Sequence, residues 1–302
     1  MLAVILHIVV LLLLPPLLPG VVTKTKAWFA GRVGAPLLQP YFDLAKLMRR
    51  GLVLSTATTW VFCAGPVITL AATLLAGLLI PLGGSDAPIA FAGDLILFAY
   101  LFGLARFFTT LAALDTGSAF EGMGAAREVT FACLAEPALF FALLALAKIS
   151  GSLTLTAMLP APAANLAAGI GAPLVLVGIG LFIVLLSETC RIPVDDPATH
   201  LELTMIHEAM ALDHSGPLFG VILYASAVKL LVLGTVLLHV IAPFRFGRAW
   251  LDGPLYIAEI LGLAVAIGIV ESVMARLQMR RVPYLLFGAL LFCGFGFILL
   301  IR

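Results

Sequence analysis

Charge is scarce in this sequence: Asp, Glu, Lys and Arg together make up 11% of the 302 residues, against 63% hydrophobic. Too little polar surface remains to clothe a water-soluble globule of this length, which leaves an integral membrane protein. A surplus of either sign is missing as well. With a net charge of +1, the chain generates no field that would gather nucleic acid. The four cysteines (Cys63, Cys133, Cys190, Cys293) lie far apart with no C-x-x-C spacing, which removes both a cluster-ligand set and a disulfide framework. No cofactor is therefore expected on this chain, and any redox centre has to sit on a partner. The apolar N-terminus lacks the basic n-region and the small-residue cleavage site of a signal peptide, so it reads as a retained helix. No internal repeat is visible, and with it goes the inverted-repeat plan of many secondary transporters.

What is present is a succession of apolar runs. A helix needs about 20 such residues to cross a bilayer. The runs predict an all-α polytopic membrane protein with about eight spans, near residues 2–18, 60–82, 94–114, 127–146, 174–186, 218–241, 254–275 and 284–301, forming one transmembrane domain over 1–302. Six cations against Asp43 alone in residues 23–51, and three arginines in 276–283, mark the cytoplasmic side by the positive-inside rule. Residues 115–128 and 188–217 then fall on that side too, and both termini fall outside.

Beyond the first two positions of each predicted span, five charged residues lie within the spans: Arg106, Glu136, Lys229, Glu259 and Glu271. An ionised group at mid-bilayer costs about 2.5–3.5 kcal/mol on insertion scales, so these groups need partners or internal water. They read either as a path that relays protons, with Glu136 and Lys229 deepest, or as structural ion pairs and snorkelling ends. Glu259 and Glu271 are about 18 Å apart along one helix, too far to touch but suitably spaced as successive stations.

A charge island at 187–217 holds six of the sixteen acids and three of the five histidines. Glu188 and Arg191, three apart, can pair on one helical face. Asp195 and Asp196 before Pro197 predict an N-cap and a surface helix over 198–212, on which His200, His207 and His214 would share a face. His207-Glu208 has no second histidine four residues on, so a zincin site is excluded and no metal site is expected. A surface that meets solvent or a partner fits better. The run Gly31-Arg32-Val33-Gly34-Ala35-Pro36 with Gln39-Pro40, Asp43 and Lys46 is a second polar stretch, suited to anionic lipid or to docking.

Three of these runs carry a resemblance. The 31–46 run, Gly124-Ala125-Ala126-Arg127 with Glu136 nine residues on, and Glu188-Thr189-Cys190-Arg191-Ile192-Pro193-Val194-Asp195 leading to Glu202 are similar to those of the quinone-pocket membrane subunit of respiratory complex I (subunit 1) and its relatives in membrane-bound [NiFe] hydrogenases. Cys190 stands where the family carries asparagine, and Ala198 and His200 stand where complex I versions carry glutamates. The 195–216 run resembles the membrane subunit of formate hydrogenlyase and hydrogenase-4 complexes instead.

The resemblance implies a non-catalytic subunit in a prokaryotic plasma (inner) membrane. Nickel-iron and iron-sulfur centres would lie on the hydrogenase large and small subunits of a peripheral arm, and antiporter-like subunits would flank the helices. It implies a coupling path through Arg127, Glu136, Glu188, Arg191, Asp195 and Glu202, to which burial cost adds Lys229, Glu259 and Glu271. Arg32, Asp43, Lys46, His207 and Glu208 become docking candidates. The alternative is a complex I subunit, in which this chain would bind quinone.

Overall fold

The computed structural model describes residues 2–83, 85–162, 170–195, 205–242 and 249–301. Among these there is no strand. The helices are α1 (Leu2–Leu13), α2 (Leu17–Phe29), α3 (Gln39–Met48), α4 (Trp60–Leu79), α5 (Asp94–Asp115), α6 (Ala119–Ser150), the single turn α7 (Leu155–Met158), α8 (Gly171–Glu188), the short α9 (His207–Ala211), α10 (Gly216–Ile241), α11 (Ala249–Val273) and α12 (Val282–Ile301). Seven of them are long and apolar enough to cross a membrane, and the bent pair α1–α2 brings the number to eight if it is counted as one span. The chain is a multi-pass all-α membrane protein.

Proline explains the bend. Pro15 and Pro16 have no N–H to give, so the helix stops at Leu13 and restarts at Leu17 with its axis turned by 46°. Carbonyls released at the break accept from side chains elsewhere: Tyr224 of α10 donates to Leu12 O at 2.8 Å, and Tyr41 of α3 donates to Leu13 O. The restarted helix runs to Phe29, so the first part of the segment predicted as a loop from residue 23 is helical.

Two further expectations change. The predicted loop 115–128 is mostly helix, because α6 begins at Ala119 and continues unbroken through Pro137 to Gly151, whose φ of 66° ends it. The surface helix predicted over 198–212 does not form as one piece. Met205 and Ile206 are non-helical, and among the described residues of that segment only His207–Ala211 is wound, so His207 and His214 share no helical face. Residues 196–204, with His200 and Glu202, lie outside the described residues.

In lipid there is little hydrophobic drive for helices to associate, so close backbone approach and internal polar bonds carry the packing. α4 packs on α5, α12 fits against α6 and α8, and α11 lies on α2 and α10. α10 is central, with an unbroken buried run from Leu230 to Val240. Gly65 shows why small residues matter here: a Cβ on it would meet Ala112 Cβ at 2.6 Å and the Phe108 carbonyl at 3.0 Å.

Candidate functional site

Arg106, midway along α5, is held by three carboxylates. Its Nε donates to Glu128 at 3.0 Å, while its two terminal nitrogens bind Glu136 and Glu188. A planar guanidinium with five donors can serve several acceptors at once, which a lysine ammonium on a flexible stem does less well. The Arg106 side chain is 8% exposed, and Glu128 and Glu188 are nearly as enclosed.

From this centre the ion pairs extend both ways. The second oxygen of Glu188 meets Lys229 Nζ of α10 at 2.6 Å. Glu128 Oε2 lies 3.3 Å from His207 Nε2 on α9, and Asp195 Oδ2 accepts from the His207 backbone N–H at 3.3 Å. Asp195 Oδ1 receives Arg276 at 2.7 Å. A continuous run of ionisable groups therefore passes from Lys229 through Glu188, Arg106, Glu128, His207 and Asp195 to Arg276. Every acid in it touches at least one basic group, so moving a proton on any member re-sorts the pairing of its neighbours.

A second cluster sits near the C-terminal end of α11. Glu271, its side chain 1% exposed, pairs with Lys26 of α2 at 2.8 Å and with Arg191 at 3.5 Å. Glu188 and Arg191, expected to pair with each other, thus turn to different partners. Thr189 and Cys190 end the helix in a tight turn with Cys190 at φ 56°, in the left-handed region, which points the two side chains apart. Asparagine, which the resemblance implies at that position, tolerates this conformation better than most. Burial, helped by Asp195 and Glu128, pushes the Cys190 thiol well up, so it stays protonated beside the cluster.

The predicted site residues therefore divide. Glu136, Glu188, Asp195 and Lys229 come together on one run; Arg191 and Glu271 join the other. Glu136 does not lie inside the bundle. Its side chain is 51% exposed on the flank of the bundle, because the face of α6 that carries Ala135 and Ala138 turns inward instead. Arg127 stands apart from the acids and donates to the Met205 carbonyl at 2.8 Å, holding the start of the α9 segment. His207, expected at a docking face, turns its ring to Glu128. Glu208 on α9 and Glu259 on α11 are half-buried. Arg32, Asp43 and Lys46 are exposed, and Asp43 accepts from Gln39 Nε2 at 2.8 Å. Glu202 lies outside the described residues. Among the described residues no group of three His, Cys, Asp or Glu side chains is placed to hold a metal.

Glu128, Arg276 and Lys26 were not among the expected site residues. Starting the fourth span at Arg127 put Glu128 at a helix end. The absence of any proline between Ser118 and Pro137 was the available signal that the helix begins earlier.

The α9–α10 turn clasps the loop before α4. His214 stacks on Phe62 with ring centroids 3.9 Å apart, and its Nε2 lies 3.3 Å from the Phe62 carbonyl; the Ser215 hydroxyl bonds both the N–H and the carbonyl of Val53 at 3.0 Å. Burial holds the His214 imidazole below its ordinary 6.5, outweighing the opposing pulls of the Phe62 carbonyl and of Asp213, whose own N–H is taken by Glu121. The folded clasp thus accepts a proton less readily than the open one. Its stability is complete above the ordinary value and declines as pH falls through it toward the folded value. Relative to the intrinsic chemical rate, amide hydrogen exchange in residues 51–59 should therefore rise as pH falls through and below the ordinary 6.5, and His214→Gln should remove that extra dependence.

The whole chain, residues 1–302, matches a family model described as NADH dehydrogenase. Formate hydrogenlyase subunit 4 of Escherichia coli (strain K12) is 30% identical over 298 residues, covering 95% of this chain and 93% of that protein. Hydrogenase-4 component C of the same organism is 34% identical over 247 residues, covering 80% and 74%. In fold the chain is similar to a subunit of the membrane-bound sulfane sulfur reductase, an archaeal respiratory membrane complex, with a TM-score of 0.83 at 20% identity over 99% of this chain and 98% of that one. The full-length match, the two relatives and the motif runs at 31–46, 124–136 and 188–195 agree: the chain belongs to the NADH dehydrogenase family, that of complex I subunit 1.

Proposed function

We propose that this chain is the membrane-anchoring, energy-coupling subunit of a multisubunit [NiFe] hydrogenase of the formate hydrogenlyase type. It links redox chemistry in a peripheral arm to movement of protons or sodium ions. The observation that carries the reading is Arg106 inside a span with three carboxylates from two helices on it, in series with Lys229 on one side and with His207 and Asp195 on the other. A free-standing scaffold has no use for such an array in lipid, where each ionised group costs several kcal/mol unless compensated. The names of the two Escherichia coli relatives favour the hydrogenase branch.

In this reading the nickel-iron and iron-sulfur centres belong to the large and small subunits of the arm and supply the electron chemistry there. Arg32, Asp43 and Lys46 face that arm from the cytoplasmic side of the inner membrane, antiporter-like subunits flank the bundle, and lipid covers the remainder. This chain's own contribution is proton and charge movement. A proton taken at His207 Nε2 strengthens its pairing with Glu128 and loosens the hold of Glu128 on Arg106. Arg106 then leans on Glu136 and Glu188, and Glu188 in turn relaxes its grip on Lys229.

Glu136→Gln tests the reading. Arg106 keeps Glu128 and Glu188, so the complex should assemble, while ion movement per electron should fall by about an order of magnitude. A mutant complex that assembles and couples normally removes Glu136 from the path. Purifying the native complex separates the two branches: co-purifying nickel proteins support the hydrogenase, whereas an NADH-oxidising flavoprotein would assign the chain to a quinone-binding role in complex I.

A further inference from the structure

The charge run ends at Lys229, near the middle of α10, and the far half of that helix is otherwise apolar except at two buried positions, Thr235 and His239. Thr235 faces α11, and that helix carries two more buried polar groups, Tyr256 and Asp252, spaced one turn apart like Thr235 and His239. Thr235 Oγ1 lies 2.7 Å from the Tyr256 hydroxyl, and His239 Nδ1 lies 2.8 Å from the Thr235 carbonyl. Asp252 stands one turn beyond Tyr256 on α11, as His239 stands one turn beyond Thr235 on α10. All four are buried, at 0% exposure for Thr235, 3% for His239 and Tyr256, and 4% for Asp252.

The two helices run antiparallel, since Thr235 meets Tyr256 while Gly234 packs on Ile260 and Leu263. Heights can therefore be read from one to the other. Thr235 is about 9 Å beyond Lys229 along the axis, and Glu259 is about 4.5 Å short of Tyr256, at an intermediate level. Polar groups thus recur at steps of about one helical turn, from the cluster to the opposite end of the bundle, in a sequence that fills the neighbouring positions with Leu and Val.

Packing alone does not account for this choice. A valine at 235 and a phenylalanine at 256 would fill the same space without placing two hydroxyls, an imidazole and a carboxylate in oil. Resting on the coupling reading above, we infer that α10 and α11 form the outward limb of the proton path, running from Lys229 by way of Glu259 to the Tyr256–Thr235 hydroxyl pair and leaving between His239 and Asp252. Each hop breaks one N–H or O–H bond and makes another. After one passage every group has its proton back, and no electron moves.

The test uses the intact complex in sealed vesicles, with lumenal acidification followed by a pH-sensitive dye and electron transfer measured on the same sample. Thr235→Val and Tyr256→Phe remove only the hydroxyls and should each lower protons moved per electron about tenfold. Thr235→Ser keeps a hydroxyl and should retain the wild-type ratio. Normalising to electron transfer corrects for any variant that assembles in smaller amounts, and agreement between the two loss variants guards against a local defect in either. Wild-type ratios in both Thr235→Val and Tyr256→Phe would overturn the outlet while leaving the coupling reading in place. A wild-type complex that transfers electrons without acidifying the lumen would overturn the coupling reading and the outlet with it.

Discussion

Replacing Arg106 with glutamine is expected to have the largest effect of any single substitution in the molecule. Three carboxylates close on that one guanidinium, and two of them, Glu128 and Glu188, have side chains 10% and 7% exposed. Removing one partner of a buried ion pair costs about 3–5 kcal/mol because a charge is left uncompensated. Here Glu188 retains Lys229 and Glu128 retains His207, which limits the loss without abolishing it. The chain should largely disappear from the membrane fraction, and what remains should melt at a lower temperature in detergent. Arg106→Lys keeps the charge but not the fork, and should fall between. Adding Glu128→Gln to Arg106→Gln should restore part of the lost chain, since it removes one of the stranded charges. Wild-type amounts and melting for Arg106→Gln would mean that the three carboxylates do not depend on it.

Glu271→Gln is expected to come next. Glu271 is the shared anion for Lys26 and Arg191, so its loss strands two cations at the junction of α2, α11 and the 188–195 turn. A penalty again of about 3–5 kcal/mol is expected, read as loss of assembled complex. Lys26→Met should be milder, because Lys26 is 29% exposed and Arg191 still neutralises the acid. The double variant Glu271→Gln with Lys26→Met should recover part of the loss. If the single Glu271 variant assembles normally, the cluster is a surface-like pair despite its burial.

Span number and fold class were legible in the sequence because both follow from apolar run length, which the bilayer fixes. The pairing of the charges was not. Glu188 and Arg191 look like natural partners at a spacing of three, but that spacing pairs residues only inside a helix, and the helix ends between them. Arg106 stood out as a charge in a span. Its partners come from positions 22, 30 and 82 residues away, and only the packing of α5 against α6, and of α6 against α8, brings them to it. Glu136, read from the sequence as one of the deepest charges, pairs with Arg106 but lies on the flank of the bundle. Sequence gives height in the membrane well, but the face a residue occupies depends on which neighbours surround its helix. The polar string at Thr235 and Tyr256 left no signal of its own, since a threonine and a tyrosine in a span are unremarkable until their hydroxyls are seen to meet.

The broken first helix has a consequence for biosynthesis. Its bend is pinned by Tyr41 and by Tyr224, and the second of these lies 212 residues downstream of the carbonyl it holds. A ribosome adds about 5–20 residues per second, so that phenol emerges ten seconds or more after the segment it must grip. The earliest part of the polypeptide to enter the bilayer is therefore among the last to take its finished shape, and a chain truncated before α10 would present its opening segment with the elbow unfastened.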